Sequence, residues 1–501
     1  MTLIRLSFKP HVDQVYPTES LGRTTAGVIG IWLHNRSYFS TVHPKSMNEQ
    51  IIEKLEKLLN RRDFLKGSSL ASLALVLGSG KVIAQADNPA AALDVDNPVK
   101  IGVIGCGVQG REILENLTRL KNARINAICE HYPAWLRRAG RIVPDARKYE
   151  DYRDLLKDSE VEAVIIATPS HQHKDIALAA MEAGKHIYLE APVASTIEDS
   201  KAICSAAKAN PTIYFQAGLQ LRSEPQRWFL VDFIRSGALG NTIGARSQWH
   251  KKTSMRRASP NGARETELNW PIQSQHSAGL ISELGIHQID NALWFLNQRP
   301  VAVSGFGGIH QWKDGRDVED TFKAVFEFEN GRTYDFSGTI ANSFDAAYDM
   351  YYGTDCAIMF RDDKSWMFKE TDAPLLGWEV YARKDVFYKE TGIYLAANAT
   401  KLTTQDKGAT SDSNEQAPVY YALEAFLTNT YLRKSAVADF IDAFGEADPD
   451  SLKEYLAEIG QNQMPAAGPD EGHEATATVI LANKAIREKK RIEISPDLLT
   501  L

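Results

Sequence analysis

The fold of this 501-residue chain is decided by residues 99–130, VKIGVIGCGVQGREILENLTRLKNARINAICE. An apolar run, Val99–Ile104, leads into the glycine-rich turn Gly105–Gly110, and a helical pattern follows. A second apolar run then ends in Glu130, about twenty residues beyond the last glycine. A strand, a glycine turn, a helix and an acid at this spacing predict a dinucleotide-binding βαβ unit.

Each position of the turn suits one part of a dinucleotide. Gly105 permits the tight turn, Gly107 lets the backbone approach a pyrophosphate, and Gly110 allows close packing of helix on strand. The pyrophosphate is expected at the helix N-terminus, where free N–H groups and the helix dipole favour an anion. Glu130 is expected to accept hydrogen bonds from the adenosine ribose, which favours NAD because a carboxylate repels the additional phosphate of NADP. The predicted cofactor contacts here are Gly105, Gly107, Val108, Gln109, Gly110 and Glu130.

An export signal is predicted upstream of this unit. Residues 60–66 read NRRDFLK, which contains a twin-arginine pair, and the apolar stretch Gly67–Gly80 leads to an A-x-A cleavage site at Ala84-Gln85-Ala86. The apolar stretch is too short to span a membrane as a helix. We therefore expect export to the periplasm by the twin-arginine machinery, with cleavage after Ala86 and no stable membrane anchor.

The segments around the signal complete its predicted organisation. Met47 begins an n-region of normal length, so we expect residues 1–46 to be an upstream misreading, 47–86 the signal peptide and 87–98 a polar tether. The twin-arginine pathway carries folded proteins, and NAD is scarce outside the cytoplasm. An exported dinucleotide protein is therefore expected to fold around its cofactor, retain it, and restore it within each catalytic cycle.

The composition disfavours several classes of function. The net charge of −7 comes without a basic stripe, so no nucleic-acid partner is expected. Four cysteines are few for this length and lack metal-ligand spacing, so we interpret them as packing residues and expect no metal site. They are Cys106, Cys129, Cys204 and Cys356. The length suits two domains.

The pattern of predicted elements changes near Gly218. Before it, short apolar strands such as Val161–Thr168 alternate with helices, which predicts a doubly wound parallel sheet over residues 99–218. After it, longer strands such as Val318–Glu329 alternate apolar and polar residues, which predicts a mostly antiparallel sheet in a second domain, residues 219–501. We therefore expect an α/β protein with an N-terminal Rossmann domain and a C-terminal α/β domain.

Several segments resemble the Gfo/Idh/MocA family, which includes glucose–fructose oxidoreductase and inositol dehydrogenase. The matching text runs from Val99 to about Gly353 and includes ATPSHQH, GKHIYLEAP, GLQLRS, SGALG, ELGIHQID and VEDTF, at residues 167–173, 184–192, 218–223, 236–240, 283–290 and 318–322. The resemblance implies a Rossmann domain, a C-terminal domain with an open and mostly antiparallel sheet, and a sugar or polyol substrate. It also implies a homodimer or homotetramer formed through the faces of that sheet.

A catalytic pair is implied by the likeness of residues 283–287, ELGIH, to the family's acid-x-x-x-His motif. Positions i and i+4 share a helix face, so both side chains are expected to face one cleft. Oxidation of a carbinol needs a base for the hydroxyl proton, and neutral imidazole suits that task. We expect His287 to be this base and Glu283 to be its orienting group or a substrate ligand. Asp290, one turn further, is expected to bind a substrate hydroxyl or stabilise His287.

Further cofactor and substrate contacts are expected at the ends of later strands. Thr168, Pro169 and His173 follow the fourth strand, where the family contacts its cofactor, and we interpret His173 as a helix N-terminal residue rather than a catalyst. Gln220 and Arg222 follow the domain crossover and are expected near the nicotinamide or the substrate.

Two features between the predicted strands of the second domain keep alternatives open. Trp270 suits stacking on a sugar ring, closure over the cofactor, or burial in the core. A basic stretch predicts either a solvated loop or a site for an acidic sugar or a phosphate. It comprises Lys251, Lys252, Arg256, Arg257 and Arg264.

One position departs from the family pattern. Dehydrogenase members carry Glu-Lys-Pro after the fifth strand, with the lysine beside the nicotinamide and the substrate, whereas this chain has Glu190-Ala191-Pro192. Glu190 and Pro192 are expected to keep the cofactor contact. Ala191 supplies neither a proton nor a charge, and electrostatic stabilisation by such a group is often worth about 3 kcal/mol.

Three functions therefore stay open. The first is an oxidoreductase with hydride transfer at a CH–OH group, which the resemblance of ELGIHQID favours. The second is a redox-neutral glycosidase or lyase, because the NAD-dependent glycosidases similar to exported α-N-acetylgalactosaminidases also lack the lysine; there oxidation, elimination, water addition and reduction leave the cofactor unchanged. The third is a sugar-binding protein without turnover.

Overall fold

The computed structural model describes residues 97–361, 364–375, 379, 382, 384–387, 390–395, 416–445, 449–460 and 463–501, all within the unit Gly67–Leu501. The predicted extension, the signal peptide and nearly all of the tether lie outside these residues. Within the part of the chain that is described, none of the helices is long and apolar enough to cross a membrane.

The first half of the described chain forms a six-stranded sheet with the order β3-β2-β1-β4-β5-β6, and every pairing in it is parallel. The strands are β1 (Val99–Ile104), β2 (Ala123–Cys129), β3 (Arg147–Tyr149), β4 (Ala163–Ile166), β5 (His186–Glu190) and β6 (Phe215–Gly218). The helices between them are α1 (Val108–Leu117), α2 (Pro133–Ile142), α3 (Tyr152–Leu156), α4 (His173–Glu182) and α5 (Ile197–Ala209). The predicted doubly wound sheet is confirmed, and its strand order reverses between β1 and β4, where such sheets bind nucleotides.

The second half is built on a ten-stranded sheet with the order β14-β15-β13-β12-β11-β7-β10-β9-β8-β16. Among the described strands of this second sheet, only β7 and β10 pair in parallel, so the predicted mostly antiparallel sheet is confirmed. The strands are β7 (Thr242–His250), β8 (Ala302–Gly308), β9 (Thr321–Glu327), β10 (Thr333–Thr339), β11 (Ala347–Gly353), β12 (Cys356–Arg361), β13 (Lys364–Lys369), β14 (Lys384–Phe387), β15 (Glu390–Leu395) and β16 (Ile492–Glu493).

Six α-helices accompany this sheet in the described part of the chain. They are α6 (Pro225–Phe233), α7 (Gly262–Leu268), α8 (Leu280–Leu296), α9 (Pro418–Phe444), α10 (Pro449–Ile459) and α11 (Pro469–Glu488). Helix α8 packs on β7 and β10 of the second sheet, and α11 packs on α5 of the first half and on α8 and β8 of the second. Helix α11 therefore contacts both halves of the molecule.

Helix α9 belongs to the core of the first sheet although it comes late in the chain. Val419, Leu423 and Phe426 share one buried hydrophobic cluster with three residues of β1, which are Val99, Ile101 and Val103. The side-chain amide of Gln216 in β6 also donates a hydrogen bond to the carbonyl oxygen of Ala422 at 2.8 Å. These residues fall within the predicted second domain and no helix was predicted for them, so the packing of α9 on the Rossmann sheet is visible only in the tertiary contacts.

The four cysteines are buried and form no disulfide. Burial raises the pKa of the Cys129 and Cys204 thiols to about 12, so both stay protonated at neutral pH. No group of three or more His, Cys, Asp or Glu side chains within the described ranges has the geometry to hold a metal ion.

Candidate active site

The glycine-rich turn lies between β1 and α1, at the reversal of strand order. Gly105 has a φ of +92°, and a Cβ there would lie 2.6 Å from the carbonyl oxygen of Ala167. A Cβ on Gly110 would lie 1.9 Å from the carbonyl oxygen of Gly105. Both positions therefore require glycine. The first turn of α1 carries no acidic side chain, so its free N–H groups suit an anion.

Glu130 lies buried beside this turn, directly after β2. Its Oε2 accepts a hydrogen bond from the Cys106 N–H at 3.0 Å, and its Oε1 accepts one from the Tyr132 N–H at 2.9 Å. Oε2 has a further lone pair that no residue of the described chain occupies. The carboxylate is thus held rigidly and still able to accept ribose hydroxyls, so the residues present fit the adenosine half of NAD.

Three further predicted cofactor contacts follow the carboxyl ends of β4, β5 and β6, at the same edge of the parallel sheet. Thr168 has a buried Oγ1 with no hydrogen-bond partner in the described part of the chain, which suits a polar group of a bound cofactor. Glu190 accepts a hydrogen bond from the Gln109 side-chain amide at 3.3 Å, and burial raises the pKa of Glu190 to about 7. Gln220 lies within hydrogen-bonding reach of the same carboxylate.

His173 connects two of these turns from within the fold. Its Nε2 lies 2.9 Å from the carbonyl oxygen of Thr168, and its Nδ1 lies 3.1 Å from that of Pro192, which follows a cis peptide bond. Burial lowers the pKa of His173 to about 4, so the ring is neutral. Both nitrogens face backbone oxygens, so His173 ties the turns after β4 and β5 together. This agrees with the predicted position of His173 at a helix N-terminus, and its contact with the cofactor stays a prediction.

Helix α8 carries the predicted catalytic pair on the face opposite the sheet. A Cβ on Gly285 would lie 2.6 Å from the ring of Phe336 in β10, so the glycine lets the helix approach the sheet closely. Glu283 and His287 lie two residues on either side of this glycine. Since each residue turns about 100° around a helix, their side chains point away from β10.

Burial sets the protonation of this pair. It raises the pKa of Glu283 to about 8, and the Ser277 hydroxyl donates a hydrogen bond to Glu283 Oε1 at 3.2 Å. Burial lowers the pKa of His287 to about 4, and its Nδ1 is buried with no hydrogen-bond partner among the described residues. At neutral pH the helix therefore presents a protonated carboxyl and a neutral imidazole, the arrangement in which one group donates and the other accepts a proton.

Two predicted substrate ligands, Arg222 and Asp290, bind each other. The Arg222 Nε lies 2.9 Å from Asp290 Oδ2, and a terminal guanidinium nitrogen lies 2.8 Å from Oδ1. Asp290 is only 3% exposed. This bidentate pair ties the segment after β6 to the face of α8 that carries His287. The structure therefore gives both side chains a positioning contact, and their direct binding of substrate stays a prediction.

The structure also contains a pair of histidines near this face that was not predicted from the sequence. The rings of His171 and His276 lie 4.7 Å apart, and Trp270 packs edge-on against His171 at 6.0 Å. His276 precedes Ser277, the partner of Glu283. Trp270 is thus part of a cluster that joins the turn after β4 to the predicted catalytic pair. His171 lies in the family-like segment ATPSHQH, but nothing in the sequence predicts its partner. The contact joins two residues that are distant in sequence.

Comparisons with known proteins agree with this geometry. Residues 99–218 match a family model described as "Oxidoreductase family, NAD-binding Rossmann fold", and residues 230–359 match the "GFO/IDH/MocA C-terminal domain". Inositol 2-dehydrogenase 2 from Saccharopolyspora erythraea is 29% identical over 234 residues, which are 46% of this chain and 64% of that protein. A glycosyl hydrolase family 109 protein from Solibacter usitatus is 32% identical over 164 residues, 30% of this chain and 36% of that protein.

These curated relatives are thus matched over less than two thirds of their length. Among solved structures, levoglucosan dehydrogenase in complex with NADH and L-sorbose has a TM-score of 0.58 at 19% identity, and the match covers 80% of this chain and 99% of that chain. At this identity the likeness shows a common fold. The chain belongs to the Gfo/Idh/MocA oxidoreductase family, and residues 99–218 are its NAD-binding Rossmann domain.

Proposed function

We propose that this chain is an NAD-dependent oxidoreductase that acts on a CH–OH group of a sugar or polyol. The observation that carries the proposal is the face of α8 with a neutral His287 and a protonated Glu283. The ion pair of Arg222 and Asp290 supports the proposal, because it ties this helix to the segment that follows β6.

The cofactor and the side chains contribute different parts of the proposed reaction. NAD, when bound, supplies the acceptor for the hydride of a carbinol carbon. The imidazole of His287 takes the hydroxyl proton, so the carbinol loses a hydride and a proton and becomes a carbonyl. The protonated carboxyl of Glu283 donates a hydrogen bond to a substrate oxygen, and in doing so it orients the reacting hydroxyl towards His287.

The names of the relatives support this substrate class. One curated relative is an inositol 2-dehydrogenase, a polyol enzyme by name, and the solved structure that shares the fold is a levoglucosan dehydrogenase with bound L-sorbose. A cyclic polyol or a sugar is therefore the first substrate to test.

The deciding experiment compares His287→Ala with wild type. Absorbance of NADH at 340 nm is followed with a panel of cyclic polyols, sugars and anhydrosugars, and bound nucleotide is measured in the same preparations. We expect His287→Ala to lose about 100-fold or more of kcat while its Kd for NADH stays unchanged. An exposed histidine, His310, provides the control as His310→Ala. Full activity of His287→Ala would reject the proposal, and binding of sugars without turnover in wild type would favour a sugar-binding protein.

A second candidate, redox-neutral glycoside cleavage, is favoured by Ala191. No cation follows Glu190 where dehydrogenases of the family carry lysine, and one relative is a glycosyl hydrolase family 109 protein. This chemistry predicts release of an aglycone from a chromogenic glycoside without net NADH, together with exchange of a ring proton in heavy water. The oxidoreductase predicts net NADH and no aglycone, so the same panel separates the two.

We also propose that the chain is exported with its cofactor in place. The support is the twin-arginine pair Arg61-Arg62 and the cleavage site ending at Ala86. Replacement of both arginines by lysine should leave unprocessed precursor in the cytoplasm, whereas the wild-type chain should appear, shortened, in the periplasmic fraction. A wild-type chain found only in the cytoplasm would contradict the proposal.

We also propose that the chain forms a homodimer or homotetramer through its second sheet. Its support is the exposed apolar side chains of Ile243 and Phe306, which are 57% and 64% exposed on strands β7 and β8. Light scattering on the eluting peak of a size-exclusion column should give a mass of two or four chains. A monomeric mass across the micromolar range would contradict it.

A further inference from the structure

Residues 256–269, which we name the strap, cross from the second domain to the adenosine end of the dinucleotide site. The guanidinium of Arg264 lies 3.9 Å from the ring centre of Tyr132, and it contacts His131 Nε2 at 2.8 Å. Glu267 Oε2 lies 3.2 Å from the same nitrogen. The side chain of Arg264 is only 16% exposed, so this is a packed contact between the domains.

The residues that the strap contacts are continuous with the ribose acceptor. His131 and Tyr132 directly follow Glu130, and His131 Nδ1 lies 3.2 Å from Glu130 Oε1. The other oxygen of Glu130 holds the Cys106 N–H of the glycine turn. A chain of contacts thus runs from Arg264 through His131 and Glu130 into the turn that receives the pyrophosphate.

The strap also places a second cation near that turn. The backbone of Arg257 is fixed because its N–H donates to Asn269 Oδ1 at 2.7 Å and its carbonyl accepts from Asn269 Nδ2 at 3.0 Å, and Asn269 is buried. The guanidinium of Arg257 stays exposed and bonds to no carboxylate among the described residues. Desolvation, and then the positive charge of Arg111, lower the pKa of Arg257, so the two cations act on each other electrostatically.

Arg111 itself belongs to the glycine turn. It lies in the first turn of α1 and donates a hydrogen bond to the carbonyl oxygen of Cys106 at 2.7 Å. Two guanidinium groups near each other repel unless an anion lies between them. The pyrophosphate of NAD carries negative charge at this helix N-terminus, and guanidinium groups bind phosphate oxygens in bidentate geometry.

We propose that the strap forms the second half of the NAD site, with Arg257 as a pyrophosphate ligand and the contact of Arg264 with His131 and Tyr132 as a latch over the adenosine end. NAD then leaves only when the latch opens, which makes release slow and keeps the cofactor with the chain. The proposal rests on the NAD-binding Rossmann domain and not on the sugar chemistry proposed above.

The test measures nucleotide release from the purified chain. NADH dissociation is followed by stopped-flow fluorescence with excess NAD as the chase, and Kd is measured by titration at 50 and 200 mM salt. We expect Arg257→Ala to raise Kd about tenfold, the loss of one phosphate contact, and to weaken its salt dependence. Arg264→Ala is expected to accelerate NADH release about tenfold. Lys252→Ala, which removes an exposed cation of the neighbouring segment, should behave as wild type.

Each outcome decides the proposal. The proposal is overturned if Arg257→Ala and Arg264→Ala have the same release rates and Kd values as wild type. It is also overturned if Lys252→Ala has an equal effect, because a general loss of positive charge would then explain the result. If Arg264→Ala does not fold by circular dichroism, Arg257→Ala decides alone, with partial rescue expected in Arg257→Lys. Absence of sugar turnover with these release kinetics would reject the proposed function and leave the strap intact.

Discussion

Glu283 shows how burial at one residue connects activity with stability. Its pKa rises from 4.5 to about 8 in the folded chain because burial disfavours the carboxylate. Between these values the unfolded chain ionises Glu283 and the folded chain does not, so this group lowers the free energy of unfolding as the pH rises from 4.5 to 8. Below pH 4.5 both states are protonated and the effect vanishes.

Glu283→Gln should therefore stabilise the chain at alkaline pH. Glutamine keeps the hydrogen-bonding shape of a protonated carboxyl but cannot ionise, so the free energy of unfolding at pH 8 should rise by about 1–3 kcal/mol, with almost no change at about pH 4. Urea denaturation at both pH values measures it, with Glu329→Gln as an exposed control. An equal gain at both pH values would mean that ionisation of Glu283 is not the cause.

His287 has the opposite shift, from 6.5 to about 4, with burial as its cause. The neutral form of the base is thus fully present above about pH 5. We expect kcat/KM for carbinol oxidation to fall as the pH drops through about 4, well below the ordinary range of histidine. A pH–rate profile with a break near 6.5 instead would show that the imidazole is solvated during catalysis.

The turn between β1 and α1 leaves little space for added side-chain atoms. Gly110→Ala would put a Cβ 1.9 Å from the Gly105 carbonyl oxygen, so α1 would have to move away from β1. We expect its Kd for NADH to rise at least about tenfold, because the helix N-terminus no longer meets the pyrophosphate. Gly460→Ala has nothing within 4 Å of the added Cβ and should bind NADH as wild type does. Fluorescence titration of both variants checks this.

Helix α8 depends on its tie to the segment that follows β6. Asp290→Asn leaves the Arg222 guanidinium buried without its counter-charge, which is expected to cost about 3–5 kcal/mol of unfolding free energy. The double variant Arg222→Met/Asp290→Asn removes the unpaired charge as well and should recover part of that loss. Denaturant unfolding of wild type, Asp290→Asn and the double variant measures these differences. A double variant no more stable than Asp290→Asn would show that the unpaired charge of Arg222 does not cause the loss of stability.

These elements also show what the sequence can predict. The turn Gly105–Gly110 and the motif at 283–287 are local, because glycine spacing and helix periodicity lie within a few residues, and in the structure the turn joins β1 to α1 and the motif lies on α8. The strap and the His171–His276 pair depend on residues that are distant in sequence. The packing of helix α9 was not predicted for the same reason: its contacts with β1 follow from tertiary packing, which no local pattern records.

At the scale of the whole molecule, α11 connects the end of the chain to the cofactor site. Its Thr476 hydroxyl accepts a hydrogen bond from the Val193 N–H at 3.0 Å, and His473 Nδ1 lies 3.1 Å from the Ser200 hydroxyl of α5. Val193 directly follows the Glu190-Ala191-Pro192 turn. A helix of the second domain thus holds the turn after β5, which belongs to the first domain and is expected to contact NAD. Packing between the domains is therefore expected to affect cofactor affinity.

Replacement of Thr476 tests this link. Thr476→Val preserves shape but leaves the Val193 N–H buried without a partner, so the free energy of unfolding should fall by about 1–3 kcal/mol and the Kd for NADH should rise. Thr476→Ser keeps the hydroxyl and should restore both. Thr478→Val is the matched control, because the Thr478 hydroxyl bonds only to the Glu474 carbonyl of its own helix. If Thr478→Val weakens NADH binding as much as Thr476→Val does, general softening of α11 is responsible and the turn after β5 is not held by Thr476.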